Sequence, residues 1–389
     1  MSEAQHRFET LAVHAGEPRP PAGGSVVHPI YQGTVFETRP GDDYDDIQYI
    51  RLNTNPGQEY LHGKLAALEG AEAALATASG MAAITTTLLS LLAAGDHLIA
   101  AGAVYGGTRH FLTELAPRLG WHVDFVAPDD PEAWAEALRP NTKAFIVETI
   151  SNPLARVADL VAIADFSREQ GLASVIDNTF ATPVVFRPHT IGFDLVCHSA
   201  TKALNGHSDL VAGAITGTAE RIGRIRAVLN LYGASLDPHA GFLLARGLKT
   251  LALRARQQNA NALALARFLE GHNAIARVNY PGLDSHPDHA RAAGLFDGGF
   301  GSVLSFRPAG GTPAAEAILA TLALPYTAPS LGGVESLVTR PAVTSHAGMS
   351  AAERAVDGID DDLVRFSCGI EATEDLVADF GAALEKAGA

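Results

Sequence analysis

The chain has 389 residues, 47% hydrophobic and 18% charged, with a formal net charge of −15 at neutral pH. That length suits two domains, or one large domain with an appendage, and that composition suits a soluble globular fold. The negative charge excludes broad binding of a nucleic-acid backbone by the whole surface, while a local basic pocket for one anionic ligand stays open.

Residues 1–60 are rich in Pro, Gly, Asp and Asn, with Tyr, Phe, Ile and Val interspersed, and read as an arm that packs on something. Their beginning, MSEAQHRFETLAVHAGE, lacks the basic and apolar regions of a signal peptide. GQEYLHGKLAALEGAEAAL, residues 57–75, then reads as helix, with Leu61, Leu65 and Leu68 at helical spacing. MAAITTTLLSLLAAG is apolar but broken by threonines and too short to span a bilayer.

From there to residue 250, strand-like runs (DHLIAAG, HVDFVA, KAFIVETI, ASVIDNTF, DLVCHS, GAITG) alternate with helical ones such as PEAWAEALR and LVAIADFSREQG. Repeated βα alternation predicts a mostly parallel sheet covered by helices, with ligands at the carboxyl ends of the strands. HAGFLLARGLKTLALRARQQNANALALARFLEG predicts one long helix or two in succession. The strands FGSVLSFR and DLVRFSCGIE and the closing helix ATEDLVADFGAALEKA predict a smaller α+β domain over 251–389. The two cysteines, Cys197 and Cys368, form no CxxC pair. That fits a reducing, cytoplasmic setting without a disulfide framework. His286 and His289 in HPDH lie in a Pro-rich loop with no further ligand nearby, so no metal site is expected.

No G-x-G-x-x-G follows a strand and no P-loop signature is present, so the α/β core needs another ligand. Ser79, Gly80 and Met81 open a helix, where free N–H groups and close backbone approach favour a phosphate; a plain helix cap fits as well. Asp177 ends a buried strand, either as the partner of a cationic ring nitrogen or as a cap on the next turn. Lys202 follows DLVCHS, and a lone lysine is ordinarily a solvated cation. An amine shielded at a sheet rim instead loses its proton readily and can attack a carbonyl. Ser199 and Thr201 add hydroxyls beside it. A phosphate cradle, a strand-end Asp and a strand-end Lys on successive βα units are what pyridoxal phosphate requires.

These residues carry a resemblance to the Cys/Met-metabolism group of pyridoxal-phosphate enzymes. Its markers are LAVHAGE, HPIYQGTVFE, ASGMAAI, VYGGT, ETISNP, DNTFATP, HSATKALNGHSD, RGLKTL, YPGLDSHPDH, SLGGVESL and LVRFSCGIE, in that order over nearly the whole chain. The resemblance implies the transferase fold type I, aspartate aminotransferase-like, with a cofactor-binding α/β domain over 61–250. It implies Lys202 as the covalent cofactor anchor and proton shuttle, Asp177 on the pyridine nitrogen, and Tyr105 stacked on the ring. Gly80, Met81, Ser199 and Thr201 would hold the phosphate. Arg365 would bind the substrate α-carboxylate bidentately, with Asn152, Ser330 and Glu335 also on the substrate side. Tyr49 and Arg51 match an arm segment that reaches the neighbouring subunit's cofactor, Tyr49 and Tyr105 being further catalytic groups, in a homotetramer of active-site-sharing dimers.

The implied reaction is γ-elimination or γ-replacement on a small sulfur amino acid, most like cystathionine γ-synthase or γ-lyase. Gly107 stands where methionine γ-lyases usually have cysteine, and Leu229 and Asn230 where they have Lys-Asp. Arg109 and His110 follow Tyr105 at four and five residues, where γ-synthases often carry arginine at five. An O-acetylhomoserine sulfhydrylase, a methionine γ-lyase and a cystathionine β-lyase are the alternatives within the class. A non-catalytic binding relative is the alternative outside it.

Overall fold

The computed structural model describes residues 6–356 and 358–387. Short apolar runs become seven strands: β1 Ala73–Thr77, β2 His97–Ala101, β3 His122–Val126, β4 Thr142–Glu148, β5 Ala173–Asp177, β6 Leu195–His198 and β7 Gly213–Gly217. They form one sheet in the order β1-β7-β6-β5-β4-β2-β3, in which β7 alone runs against the rest. Alternate residues feed two cores. Leu98, Ile146, Val175 and Leu195 pack under the helices Gly80–Leu91 and Ala219–Tyr232. Ile99, Phe145, Val147, Ile176 and Val196 pack under Pro131–Ala137 and Leu160–Glu169. Covering both faces is why these strands read as nearly unbroken apolar runs.

One boundary differs from the sequence expectation. The helix starting at Pro56 is well signalled, with Asn55 and Gln58 forming a capping box and Pro56 in the first turn. It stops at Glu69, where Gly70 takes φ 73°. The alanine-rich residues that follow become β1, paired in register with Gly213–Gly217. Helix propensity is worth only tenths of a kcal/mol per residue (~0.1–0.7), and five backbone pairs in a buried sheet outweigh it.

A second sheet has the order β10-β11-β12-β9-β8, made of β8 Ile275–Asn279, β9 Val303–Pro308, β10 Tyr326–Thr327, β11 Leu337–Thr339 and β12 Val364–Ser367. The long helical run is two helices in succession, Pro238–Leu248 and Leu251–Glu270. The second joins both sheets: Leu251 and Ala255 sit in the core with Leu61 and Leu244, and Ala262, Leu265 and Leu269 in the core of the second sheet. Strand alternation on β12 sends Val364 and Phe366 into that core and Arg365 the other way, towards the first sheet. No helix among the described residues is long and apolar enough to cross a membrane.

Candidate active site

A cavity of about 640 Å³ opens where the carboxyl ends of β4, β5 and β6 meet the start of the helix Gly80–Leu91. That is the ligand position expected of an open parallel sheet. Its wall brings together Gly80, Met81, Tyr105, Asn152, Asp177, Ser199, Thr201, Lys202, Ser330 and Arg365, far apart in sequence.

At the helix start, the Ser79 hydroxyl accepts the Ala82 amide. The Gly80 and Met81 amides have no hydrogen bond among the described residues. Gly80 is required by packing: a Cβ there would sit 2.7 Å from Ser199 Cβ and 2.8 Å from its Oγ. Two bare amides, a helix N-terminus and a serine brought together by a missing side chain make a fitting cradle for a phosphate group. Thr201 is less free than Ser199, since its hydroxyl donates to Ala212 O and accepts from Ala212 N.

Lys202 Nζ donates to Ser330 Oγ at 2.7 Å. Burial, followed by the Arg365 charge, pushes its amine below the usual lysine value, the direction a nucleophilic amine needs. Ser330 holds a φ of 94°, an uncommon backbone state for a residue with a side chain. Its carbonyl accepts Arg365 Nη2 at 2.8 Å, and Asn152 Oδ1 accepts Nη1 at 3.2 Å. Arg365 is 4% exposed, and burial drives its guanidinium down to about 10. It has no carboxylate partner among the described residues, and Nε is unpaired. A buried cation left with neutral acceptors only is costly unless an anion completes it.

Asp177 turns back on its own chain, Oδ1 accepting both the amide of Thr179 at 3.0 Å and its hydroxyl at 2.5 Å. Oδ2 has no hydrogen bond among the described residues, which leaves it for a ring N–H. Burial raises its acid; the two Thr179 bonds oppose that. Tyr105 is 44% exposed at the cavity edge. Its ring lies over Gly107, where a Cβ would come within 2.6 Å of Cε1 and 3.1 Å of Met81 Sδ.

Three expected residues lie outside this wall. Glu335 accepts the Ser208 hydroxyl and is not part of the cavity lining. Arg51 donates to Asn230 O at 3.1 Å, with Cζ 5.6 Å from the Tyr49 ring, and neither residue lines the cavity of its own chain. Arg109 lines a neighbouring cavity, donating to Gly102 O at 2.7 Å, and His110 is exposed. Glu148, absent from the expected set, does line the main cavity. Its signal was the same as that of Asp177, a carboxylate closing an apolar run.

The family model for the Cys/Met metabolism PLP-dependent enzymes matches residues 9–385. Cystathionine gamma-lyase of Bacillus subtilis is 40% identical over 97% of this chain and 99% of that protein. Cystathionine beta-lyase of Coxiella burnetii is 40% identical over 97% of each chain. Among solved structures, cystathionine gamma synthase from Xanthomonas oryzae pv. oryzae, in complex with aminoacrylate and cysteine, superposes with a TM-score of 0.94 at 39% identity, covering 98% of this chain and 99% of that one.

Proposed function

Since the chain belongs to the Cys/Met metabolism PLP-dependent enzyme family, we propose that it cleaves or exchanges the group on Cγ of a sulfur amino acid or an activated homoserine, with cystathionine γ-lyase or γ-synthase chemistry as the leading form. It is a pyridoxal-phosphate enzyme of sulfur amino-acid metabolism, with the fold of the solved γ-synthases. The observation that carries the finer reading is the pairing, through Ser330, of a buried amine with a buried guanidinium that lacks a carboxylate. Together they suit an α-amino acid whose Cα proton must be moved. The bare Gly107 beneath Tyr105 supports the cystathionine side over a methionine γ-lyase, because a side chain there would displace the ring.

Pyridoxal phosphate, when bound, supplies an electron sink for negative charge developing beside the substrate amine. The groups to hold it are the Gly80 and Met81 amides and Ser199 at the phosphate, Asp177 at the ring nitrogen, Tyr105 against the ring and Lys202 at the reactive carbon. Thr201 joins the phosphate set by exchanging its bond to Ala212 O. Arg365, held by Asn152, takes the α-carboxylate in a two-pronged contact. Lys202 Nζ, once free, is placed to take the proton from Cα and give it up again, then to take a proton from Cβ and pass it to the group leaving Cγ, with Ser330 steering it.

A panel of cystathionine, methionine, homocysteine and acylated homoserines, with and without cysteine or sulfide, tests this by its products. We expect 2-oxobutanoate from cystathionine, or a new thioether from an acylated homoserine and cysteine. Pyruvate from cystathionine would assign β-cleavage instead. Rapid 2-oxobutanoate release from methionine alone, with no turnover of the others, would overturn the ranking.

A homotetramer of active-site-sharing dimers goes with this reading. Residues 1–60 act as an arm that carries Tyr49 and Arg51 to the neighbour's cofactor, 61–250 hold the cofactor, and 251–389 form the smaller domain. Support comes from apolar side chains left in the open on the arm, Val26 being 86% and Val35 78% exposed. Sedimentation should give a tetramer, and Arg51→Ala should weaken cofactor retention about tenfold; a fully active monomer would contradict both. Buried, unpaired Cys197 and Cys368 support the cytoplasm as its location.

A further inference from the structure

Two carboxylates leave the large sheet side by side. Glu148 ends β4 and Asp177 ends β5, and they are register partners, so their side chains emerge on one face about 4.8 Å apart at the backbone. Both line the main cavity, yet only Asp177 has a part in the reading above. Glu148 is 9% exposed. Its Oε1 accepts the Tyr105 amide at 2.5 Å, and the nearby Asn152 backbone N–H favours the charged form of the same carboxyl group. Those amides belong to the tyrosine at the cavity edge and to the asparagine that holds Arg365.

We propose that Glu148 is a positioning residue of this site: its carboxyl group ties the Tyr105 loop to the end of β4, beside the Asn152 turn, and it does so as the neutral acid. One residue thereby sets the place of a ring that reaches the cavity from a distant segment, next to the asparagine that holds the carboxylate clamp. The amide of Tyr105 has no other hydrogen-bond acceptor among the described residues.

The charge follows from the neighbours. Two carboxylates this close do not both ionise readily. Asp177 has the two Thr179 donors and Glu148 the Tyr105 amide, with the Asn152 N–H a weaker influence. Burial first, and then the Asp177 charge, push the Glu148 acid well above the ordinary range despite those amides. Lys202 and Arg365 are the cations of the main cavity, and both have other hydrogen-bond partners. Glu148 also lines the neighbouring cavity, of about 390 Å³, with Arg109, Arg156, Asp129 and His346. Arg109 is spent on Gly102 O, and Arg156 on Asp129 and Asp288. His346 is held near 4 by burial and then by surrounding arginines, so it is uncharged at neutral pH. Among the described residues, no ion pair reaches Glu148 to keep it ionised.

The test compares cofactor-loaded wild type, Glu148→Ala and Glu148→Gln. A shift of one ångström in a positioning group can cost about 100-fold, and that is the loss expected in kcat/KM for the alanine variant. Glutamine copies the neutral acid in shape and keeps an acceptor, so it should recover all but about threefold. The second readout needs no substrate: the pH titration of the visible absorption of the Lys202-bound cofactor. An ionised Glu148 would favour the protonated chromophore, and replacing it with glutamine would lower the midpoint by about one unit. A neutral Glu148 leaves that midpoint within about 0.3 units. A midpoint lowered by half a unit or more, a glutamine variant as impaired as alanine, or an alanine variant within threefold of wild type overturns the proposal. Should the alanine variant fail to fold, the glutamine variant and its titration still decide. Because that titration involves no substrate, its result stands apart from the choice of substrate proposed above.

Discussion

Replacing Lys202 with alanine is expected to lower turnover by about 10⁴-fold or more while leaving the protein folded. General acid–base groups are worth about 10²–10⁴-fold, and Lys202 is proposed to be both the covalent anchor and the proton carrier. Its surroundings say why a substitute fails. Nζ is bonded to Ser330 Oγ at 2.7 Å, and Arg365, attached to the carbonyl of the same serine, helps to depress its basicity. Lys202→Arg keeps a cation but cannot lose its proton, so it should be as inactive as alanine. Circular dichroism and melting temperature check the fold, since the neighbouring turn is held by backbone bonds from Gly206 N to Lys202 O and from Lys202 N to Ser199 O. Either variant turning over cystathionine or an acylated homoserine within tenfold of wild type would remove Lys202 from the chemistry.

Asp177→Asn is expected to cost about 10²–10³-fold in kcat, the range for loss of one preorganised electrostatic contact. The substitution is selective. Asparagine Oδ1 can still accept both Thr179 donors that hold the turn, so the local backbone keeps its shape. What disappears is the negative charge at the other carboxylate oxygen. Without it, a ring nitrogen facing that position has no partner to stabilise its protonated form. The variant should retain its bound cofactor, through the phosphate cradle and Lys202, and lose rate. A kcat within threefold of wild type in the loaded variant would contradict the role.

The same physics explains how much could be read in advance. The strands β2 to β7 were legible because sheets covered on both faces demand largely apolar runs, and the polar residues closing β4, β5 and β6 mark the ligand side. Asp177, Lys202 and Gly80 were therefore placed by their neighbours in sequence. β1 was not legible, because AALAT has the composition of a helix and becomes a strand only through its pairing with β7. β8, β10 and β11 escaped for another reason. Ile275–Asn279 is an edge strand with exposed charge, and Tyr326–Thr327 and Leu337–Thr339 are too short to show a period. Glu148 shows the limit most sharply: it closes an apolar run as Asp177 does, but what it holds comes from residues 43 positions earlier, at Tyr105. Conversely, Glu335, Tyr49 and Arg51 lie outside the cavity wall of their own chain, a matter of three-dimensional placement that spacing does not carry.

The central claim, that this cavity works by covalent attachment of pyridoxal phosphate to one lysine, is tested most directly by reduction and mapping. The purified, cofactor-loaded protein is treated with borohydride, digested, and its peptides sequenced by mass spectrometry. The account predicts that the visible band disappears and that the reduced cofactor is found on Lys202 alone. A label on another lysine, or a protein that shows no reducible band when loaded, would contradict it.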